Sequence, residues 1–267
     1  MDSSAKEKDS TGHKIYHMHD CDSRQMLENF FSSNQDMVFE EDFLKFPIQN
    51  FRKTFKSGHI KGDILIDLSV GSIIHHLYSA CGFFNHTIVL KVKDRCIMEL
   101  KRWVDTRTGA FDWCHAAQLH ADIEGNSEEI QNKEGEVRSA MQHVIKFHLE
   151  KENMTEPIDL PPADCIISAW LLDVICKDKD EFIKYLKKFS KFLKPGGHLI
   201  FVGSLEATYY TIHKEKFHIV TYDEEFVRGV LVGEGFKIDY CDVFRRKAES
   251  DLIDHKGVIF IAAHKEK

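Results

Sequence analysis

The stretch Ile64-Leu65-Ile66-Asp67-Leu68-Ser69-Val70-Gly71-Ser72 decides the fold. Residues 64–68 form a short apolar run broken by one acid, as expected of a strand covered on both faces. Gly71 then offers a residue on which the chain can turn tightly into a helix. In open α/β sheets this first strand-to-helix turn is where a nucleotide-like ligand lies against backbone amides. Such turns carry about two or three glycines; here Gly71 stands alone, so a familiar framework meets altered site chemistry.

Downstream, Ile73, Ile74, Leu77, Tyr78 and Cys81 make a helical stripe closed by Gly82, and residues 87–92 read as the second strand. Asp94 is placed to cap a helix through Trp103. The span 112–122 is mixed, 125–134 is a polar loop, and a helix at 136–143 runs into a strand at 144–149. The run 163–170 is nearly continuous apolar sequence. Phe182, Tyr185, Leu186, Phe189, Phe192 and Leu193 share one face of a helix predicted over 180–193, which Lys194-Pro195-Gly196-Gly197 stops. A strand at 198–202, a helix at 223–234 and strands at 236–243 and 257–263 complete the chain. The alternation predicts a mostly parallel seven-stranded α/β sheet, helices on both faces, with the last strand antiparallel. Upstream, Met26, Leu27, Phe30, Phe31, Val38, Phe39, Phe43, Leu44, Phe51 and Phe55 recur at helical spacing, giving an N-terminal helical cap over 23–60. Residues 1–22 are polar and read as a flexible tail, leaving 23–267 as one domain.

Composition narrows the function classes. The chain has 267 residues, 43% hydrophobic, with a formal charge of −7. Lys187-Lys188 and Arg245-Arg246-Lys247 are short solvated runs, so no nucleic-acid partner is expected. The seven cysteines show no CxxC spacing and no metal-ligand pattern, which suits free thiols in a reducing compartment. No apolar run reaches the roughly 20 residues that span a bilayer, and the first residues carry no secretion signal. A cytoplasmic monomer without a membrane partner is expected.

The ordered set Gly62-Asp63-Ile64-Leu65-Ile66-Asp67, Leu77-Tyr78-Ser79-Ala80-Cys81, Glu99-Leu100-Lys101-Arg102-Trp103 and Ala110-Phe111-Asp112-Trp113 carries a resemblance. It continues through Leu160-Pro161-Pro162-Ala163-Asp164-Cys165, Phe192-Leu193-Lys194-Pro195-Gly196-Gly197-His198-Leu199 and Ala207-Thr208-Tyr209-Tyr210. The chain resembles the Rossmann-like class I S-adenosylmethionine-dependent methyltransferases. Within them it is similar to the nicotinamide, indolethylamine and phenylethanolamine N-methyltransferases. The resemblance implies S-adenosylmethionine as cofactor and a small-molecule amine as substrate. It implies no certain catalytic side chain, because N-methyl transfer chiefly needs an amine held in line in a dry pocket.

The implied cofactor set is Met26, Phe31, Asp67, Ser69, Val70, Gly71, His75, Lys91, Cys96, His148 and Leu149; the implied substrate set is Asp173, Gly203 and Ser204. Several of these depart from the family pattern. The family turn Asp-Ile-Gly-Ser-Gly-Pro-Thr is Asp67-Leu68-Ser69-Val70-Gly71-Ser72-Ile73, where Val70 adds a stiff branched side chain. The acid that would accept from both ribose hydroxyls at the second strand end is replaced by Lys91, which has no acceptor. A basic residue there could suit a dinucleotide 2′-phosphate, but the missing glycines disfavour it. Tyrosines of the family's first helix become Met26, Phe30 and Phe31, and its Cys-Asp-Val becomes Phe147-His148-Leu149. The acid of the nicotinamide-specific members is Gly203. Asp173 is retained and either faces a cationic amine or caps the following helix. Two readings follow: an N-methyltransferase for a small amine, or a catalytically inactive homologue with a binding, regulatory or structural role.

Overall fold

The strand predicted at 64–68 forms at Gly62–Asp67 (β1), one side of which pairs with Phe84–Lys91 (β2) and the other with Ala163–Ala169 (β4). A computed structural model describes residues 10–33, 39–125, 130–141 and 143–266. With His143–Lys146 (β3), Leu193–Leu205 (β5), Phe236–Arg245 (β8) and Gly257–Lys265 (β9), the seven-stranded sheet runs β3-β2-β1-β4-β5-β9-β8. It is parallel through β5; β9 runs antiparallel to β5 and β8 antiparallel to β9. Asp67 lies level with Val89 on one neighbour and Ile167 on the other, so the strand ends rise together into one rim. Lys91, two residues past Val89, stands at that rim.

The helices follow local chemistry. Lys179–Ser190 (α8) starts where the Asp178 carboxylate accepts from the Glu181 amide at 2.9 Å. Glu224–Gly233 (α9) starts in the same way, from Asp223 to the Phe226 amide at 2.8 Å. Each cap satisfies an amide the helix itself leaves unpaired. Asp94, expected to be a cap, is instead the first residue of the helix Asp94–Val104 (α4), behind Lys93. Its carboxylate pairs with Lys146 at 2.7 Å. Cys114–Glu124 (α5) is helical where the sequence showed mixed character, and the helix expected at 136–143 forms earlier, at Ile130–Ala140 (α6), starting within the stretch read as a polar loop and ending before His143–Lys146.

Only Leu77–Ala80 (α3) of the predicted stripe at 73–81 is helical. Ile73, Ile74, His75 and His76 are all fully buried, so this segment is enclosed on every side and has no solvent face to give it a period. A hairpin of Tyr209–Ile212 (β6) and Glu215–His218 (β7) was not foreseen. Its residues show the alternation of a two-stranded ribbon, but its length is at the lower limit of detection.

The cap consists of Ser23–Phe31 (α1), a π-helical segment Glu40–Lys45 and Phe46–Lys56 (α2). Phe30 packs on Phe39 at 5.0 Å and on Phe43 at 5.8 Å. Asp42 and His255, both buried, meet at 2.5 Å and tie the cap to the loop before β9. Val38 of the predicted stripe lies outside the described residues, as do residues 1–9 of the predicted tail. Residues 10–22 are not free: Ile15, Tyr16 and Cys21 are buried. Lys14 joins β7 through its amide to the Lys216 carbonyl at 3.0 Å and its carbonyl to the His218 amide at 2.8 Å. No helix among the described residues is long and apolar enough to cross a membrane.

Candidate functional site

At the rim of the sheet, the turn after β1 and the end of β2 converge on Asp67. Its carboxylate is fully buried and surrounded: His76 Nε2 lies 2.6 Å from Oδ1, while the Ser69 hydroxyl donates to Oδ2 at 2.8 Å. Lys91 Nζ stands 3.4 Å from the same Oδ2. Burial alone would raise the Asp67 pKa, but the charges of Lys91 and His76 outweigh it and hold the carboxyl down at about 2. An isolated carboxylate at this depth would be very costly; this one is paired and hydrogen-bonded.

Lys91 is 2% exposed. Its head points into the protein, donating to the Ser69 carbonyl at 2.8 Å and to the Ser69 hydroxyl oxygen at 2.7 Å. A lysine at a strand end usually extends its head into water. This one turns inward and fastens the end of β2 to the first turn.

The turn keeps its glycine conformation: Gly71 has φ +55°, and a Cβ there would come 2.8 Å from Met26 Sδ. The Gly71 amide donates to the Tyr16 hydroxyl at 3.2 Å, so the segment before α1 supplies the acceptor for an amide of the turn after β1. Tyr16 also contacts Cys96 Sγ at 3.4 Å, and Lys93 lies 5.4 Å from its ring. Ser72 Oγ donates to the Cys96 carbonyl at 3.1 Å and meets Ser23 Oγ at 2.8 Å. Met26, Cys96 and the turn are thus brought together, but by contacts among themselves.

His75 is wholly buried between Phe31, at 5.3 Å, and Trp113, at 6.2 Å, and neither ring nitrogen has a hydrogen-bond partner among the described residues. Burial pushes its pKa well below the usual histidine value, so the ring is neutral packing material. His148 and Leu149 follow Phe147, whose amide donates to the Lys91 carbonyl at 3.1 Å. The His148 imidazole is partly exposed, 3.5 Å from Glu150, while Leu149 is buried and its carbonyl accepts from Lys188 at 3.1 Å.

The second half of the site is apolar. Met26, Phe30, Phe31, Phe43, Val70, Trp170 and Tyr210 enclose most of a cavity of about 50 Å³, which Asp173 and Ser204 also line. Asp173 belongs to the short helix Leu171–Ile175 (α7). Its carboxylate does not cap a helix. Instead it accepts from the Ser204 amide and from the Tyr222 hydroxyl, both at 2.7 Å. Burial raises its pKa to about 7, against the lowering effect of these hydrogen bonds.

Gly203 explains the missing acid: a Cβ there would lie 2.0 Å from the Tyr222 hydroxyl and 2.9 Å from Asp173 Oδ1. Tyr222 has taken the space a side chain would need. Trp170, at φ +54°, is a non-glycine residue in the left-handed region, and its indole N–H has no partner among the described residues. Strain of this kind costs roughly 1–3 kcal/mol and collects at functional sites. Tyr16, His76, Trp170 and Tyr222 were missed in the sequence. The apolar pair Ile15-Tyr16 inside a polar tract was the one available signal for Tyr16.

These residues do not fit a nucleoside cofactor. The group that should accept from a ribose is a buried lysine bonded to the turn, and the Gly71 amide is already used.

Comparisons with known proteins agree on the framework. The family model described as "NNMT/PNMT/TEMT family" matches residues 10–266. Human nicotinamide N-methyltransferase is 31% identical over 242 residues, covering 91% of this chain and 92% of that protein. Human phenylethanolamine N-methyltransferase is 32% identical over 218 residues, covering 80% and 77% respectively. Among solved structures, a S-adenosylmethionine-dependent methyltransferase from Clostridium acetobutylicum ATCC 824 matches with a TM-score of 0.53 at 14% identity, covering 87% of this chain and 96% of its own. The magnesium protoporphyrin IX methyltransferase of Synechocystis PCC 6803, with bound SAM, has a TM-score of 0.52 at 10% identity over 91% and 90%. These structural likenesses concern the fold.

Proposed function

The chain belongs to the NNMT/PNMT/TEMT family of S-adenosylmethionine-dependent N-methyltransferases, and from that premise we propose that it is an amine-binding member whose acceptor half has outlasted its donor half. The observation that carries this reading is Asp173. It is a buried carboxyl on an aromatic-lined cavity, and its contacts among the described residues are neutral. A cation entering beside it would supply the charge partner that Asp67 receives from Lys91. Phe30, Phe31, Phe43 and Trp170 would face that cation with their rings, an arrangement worth about 0.5–2 kcal/mol per well-placed contact.

The cavity suits the head of a small alkylamine with the cap closed; a bulkier amine requires Phe30, Phe31 and Phe43 to move with the cap. Calorimetric titration with a series running from methylamine to tryptamine tests the reading. Saturable binding that strengthens as pH rises through 7 is expected, because the ionised form of Asp173 attracts the cation. Absence of binding to every amine at millimolar concentration would remove this proposal.

The competing reading is a working N-methyltransferase for the same amine. It is favoured by the retained Asp67 and by the left-handed Gly71 turn. Methyl transfer to any amine of the series from labelled S-adenosylmethionine would establish it.

A further inference from the structure

We infer that the protein's own Lys91 ammonium and Tyr16 hydroxyl occupy the interactions a methyl donor would need, so that the chain binds neither S-adenosylmethionine nor S-adenosylhomocysteine. This extends the amine-binding reading without depending on it, because Lys91 and Tyr16 do not line the amine cavity, although Val70 borders both. The observations come from three sides of the donor site.

From β2, Lys91 places a cation where an acceptor for two ribose hydroxyls belongs, and it holds the Ser69 carbonyl and hydroxyl oxygens at 2.8 and 2.7 Å. A nucleoside arriving there finds no carboxylate to accept from its two ribose hydroxyls, and the Lys91 ammonium is already committed to Ser69 and Asp67. The sulfonium of S-adenosylmethionine would add a like charge, although S-adenosylhomocysteine would not. From the segment before α1, Tyr16 takes the Gly71 amide, and this segment is itself held by β7. From the turn, Val70 is 6% exposed, with its own amide bonded to the Ala169 carbonyl at 2.9 Å. Its branched side chain is bulkier and stiffer than the serine of the family turn and cannot donate or accept a hydrogen bond.

The three sides support one another. Moving Lys91 aside would strip Asp67 of a charge partner while leaving it buried. Moving Tyr16 aside would orphan an amide. The filled state is therefore a satisfied polar network, which tends to be rigid, and is not a loosely collapsed pocket.

Calorimetric titration of the full-length protein with S-adenosylmethionine, then with S-adenosylhomocysteine, is the test. No saturation by either at millimolar concentration is expected. Micromolar binding of either one overturns the inference while leaving amine binding to stand or fall on its own titration. The double variant Lys91→Asp with Val70→Ser is expected to gain at least about tenfold in affinity for S-adenosylhomocysteine; a folded variant with no gain overturns the assignment to these residues.

Because two acids would then stand side by side, that variant could unfold, so lysine acylation of the native wild-type protein provides an independent arm. Mass spectrometry should find Lys53, Lys56 and Lys187, all exposed, modified while Lys91 stays protected. Acylation of Lys91 at the rate of those three would overturn the inference.

Discussion

Two aspartates, Asp67 in the donor half and Asp173 in the acceptor half, are equally buried and oppositely perturbed. Asp67 sits at about 2 and Asp173 at about 7. Burial pushes both upward; the difference is the company each keeps. Asp67 has a lysine, a histidine and a serine hydroxyl, whereas Asp173 has only neutral partners, the Tyr222 hydroxyl and the Ser204 amide foremost. A buried carboxyl that already has its cation has nothing left to offer a charged ligand, and one that lacks a cation is a place to put one. On the reading proposed above, the same fold closes one half of its site and leaves the other chemically unfinished.

The largest effect that would break this contrast comes from Lys91. Lys91→Met leaves Asp67 buried with His76 as its sole remaining charge partner among the described residues. It should destabilise the protein by about 3 kcal/mol, the lower end for breaking a buried pair, as read by urea denaturation. A loss under about 0.5 kcal/mol, in the range of ordinary surface changes, would mean that Lys91 is solvated and the donor half is open.

Next is Gly203→Ala, whose Cβ would collide with the Tyr222 hydroxyl at 2.0 Å. Overpacking of this kind costs about 1–3 kcal/mol. It should also release Tyr222 from Asp173 and raise the carboxyl pKa still further, which would weaken amine binding at pH 7.

A pH series separates the two halves without mutation. Asp67 has a depressed pKa, so its stabilising contribution is complete above its ordinary value near 3.9 and is lost as pH falls toward 2. Asp173 has a raised pKa, so the native state holds a proton that the unfolded chain releases. Stability therefore falls as pH rises from about 4 to about 7. Asp173→Asn should flatten the second slope, leave the first in place and abolish the pH dependence of amine binding. The smallest effect expected is from Tyr16→Phe, which leaves the Gly71 amide without its acceptor and should cost about 1 kcal/mol.

The framework was legible because its signals are local and redundant. The apolar runs of β1 and β4, the one-sided face of α8 and the Lys194-to-Gly197 stop each point to the same sheet. The shortened α3 was not legible, since the burial of Ile73 to His76 on all sides depends on what the cap and sheet place around them. In the site, the substitutions at Val70 and Lys91 could be read from the residues, but their consequence could not. A lysine at a strand end carries the same letter whether its head faces water or reaches 2.7 Å from Ser69 Oγ. Likewise, Gly203 looked like a lost acid until Tyr222, 19 positions downstream, was seen to fill its space. Long-range replacement of one group by another leaves no mark at either position.

The most direct test of the contrast is a ¹³C NMR titration of the two side-chain carboxyls in the wild-type protein, alone, with an amine that binds, and with millimolar S-adenosylhomocysteine. Asp67 should remain ionised down to about pH 2 and be unmoved by either compound, while Asp173 should titrate near pH 7 and shift downward with the amine alone. Ionisation of Asp173 at an ordinary carboxyl value near 3.9, or a response of Asp67 to S-adenosylhomocysteine, would contradict the account.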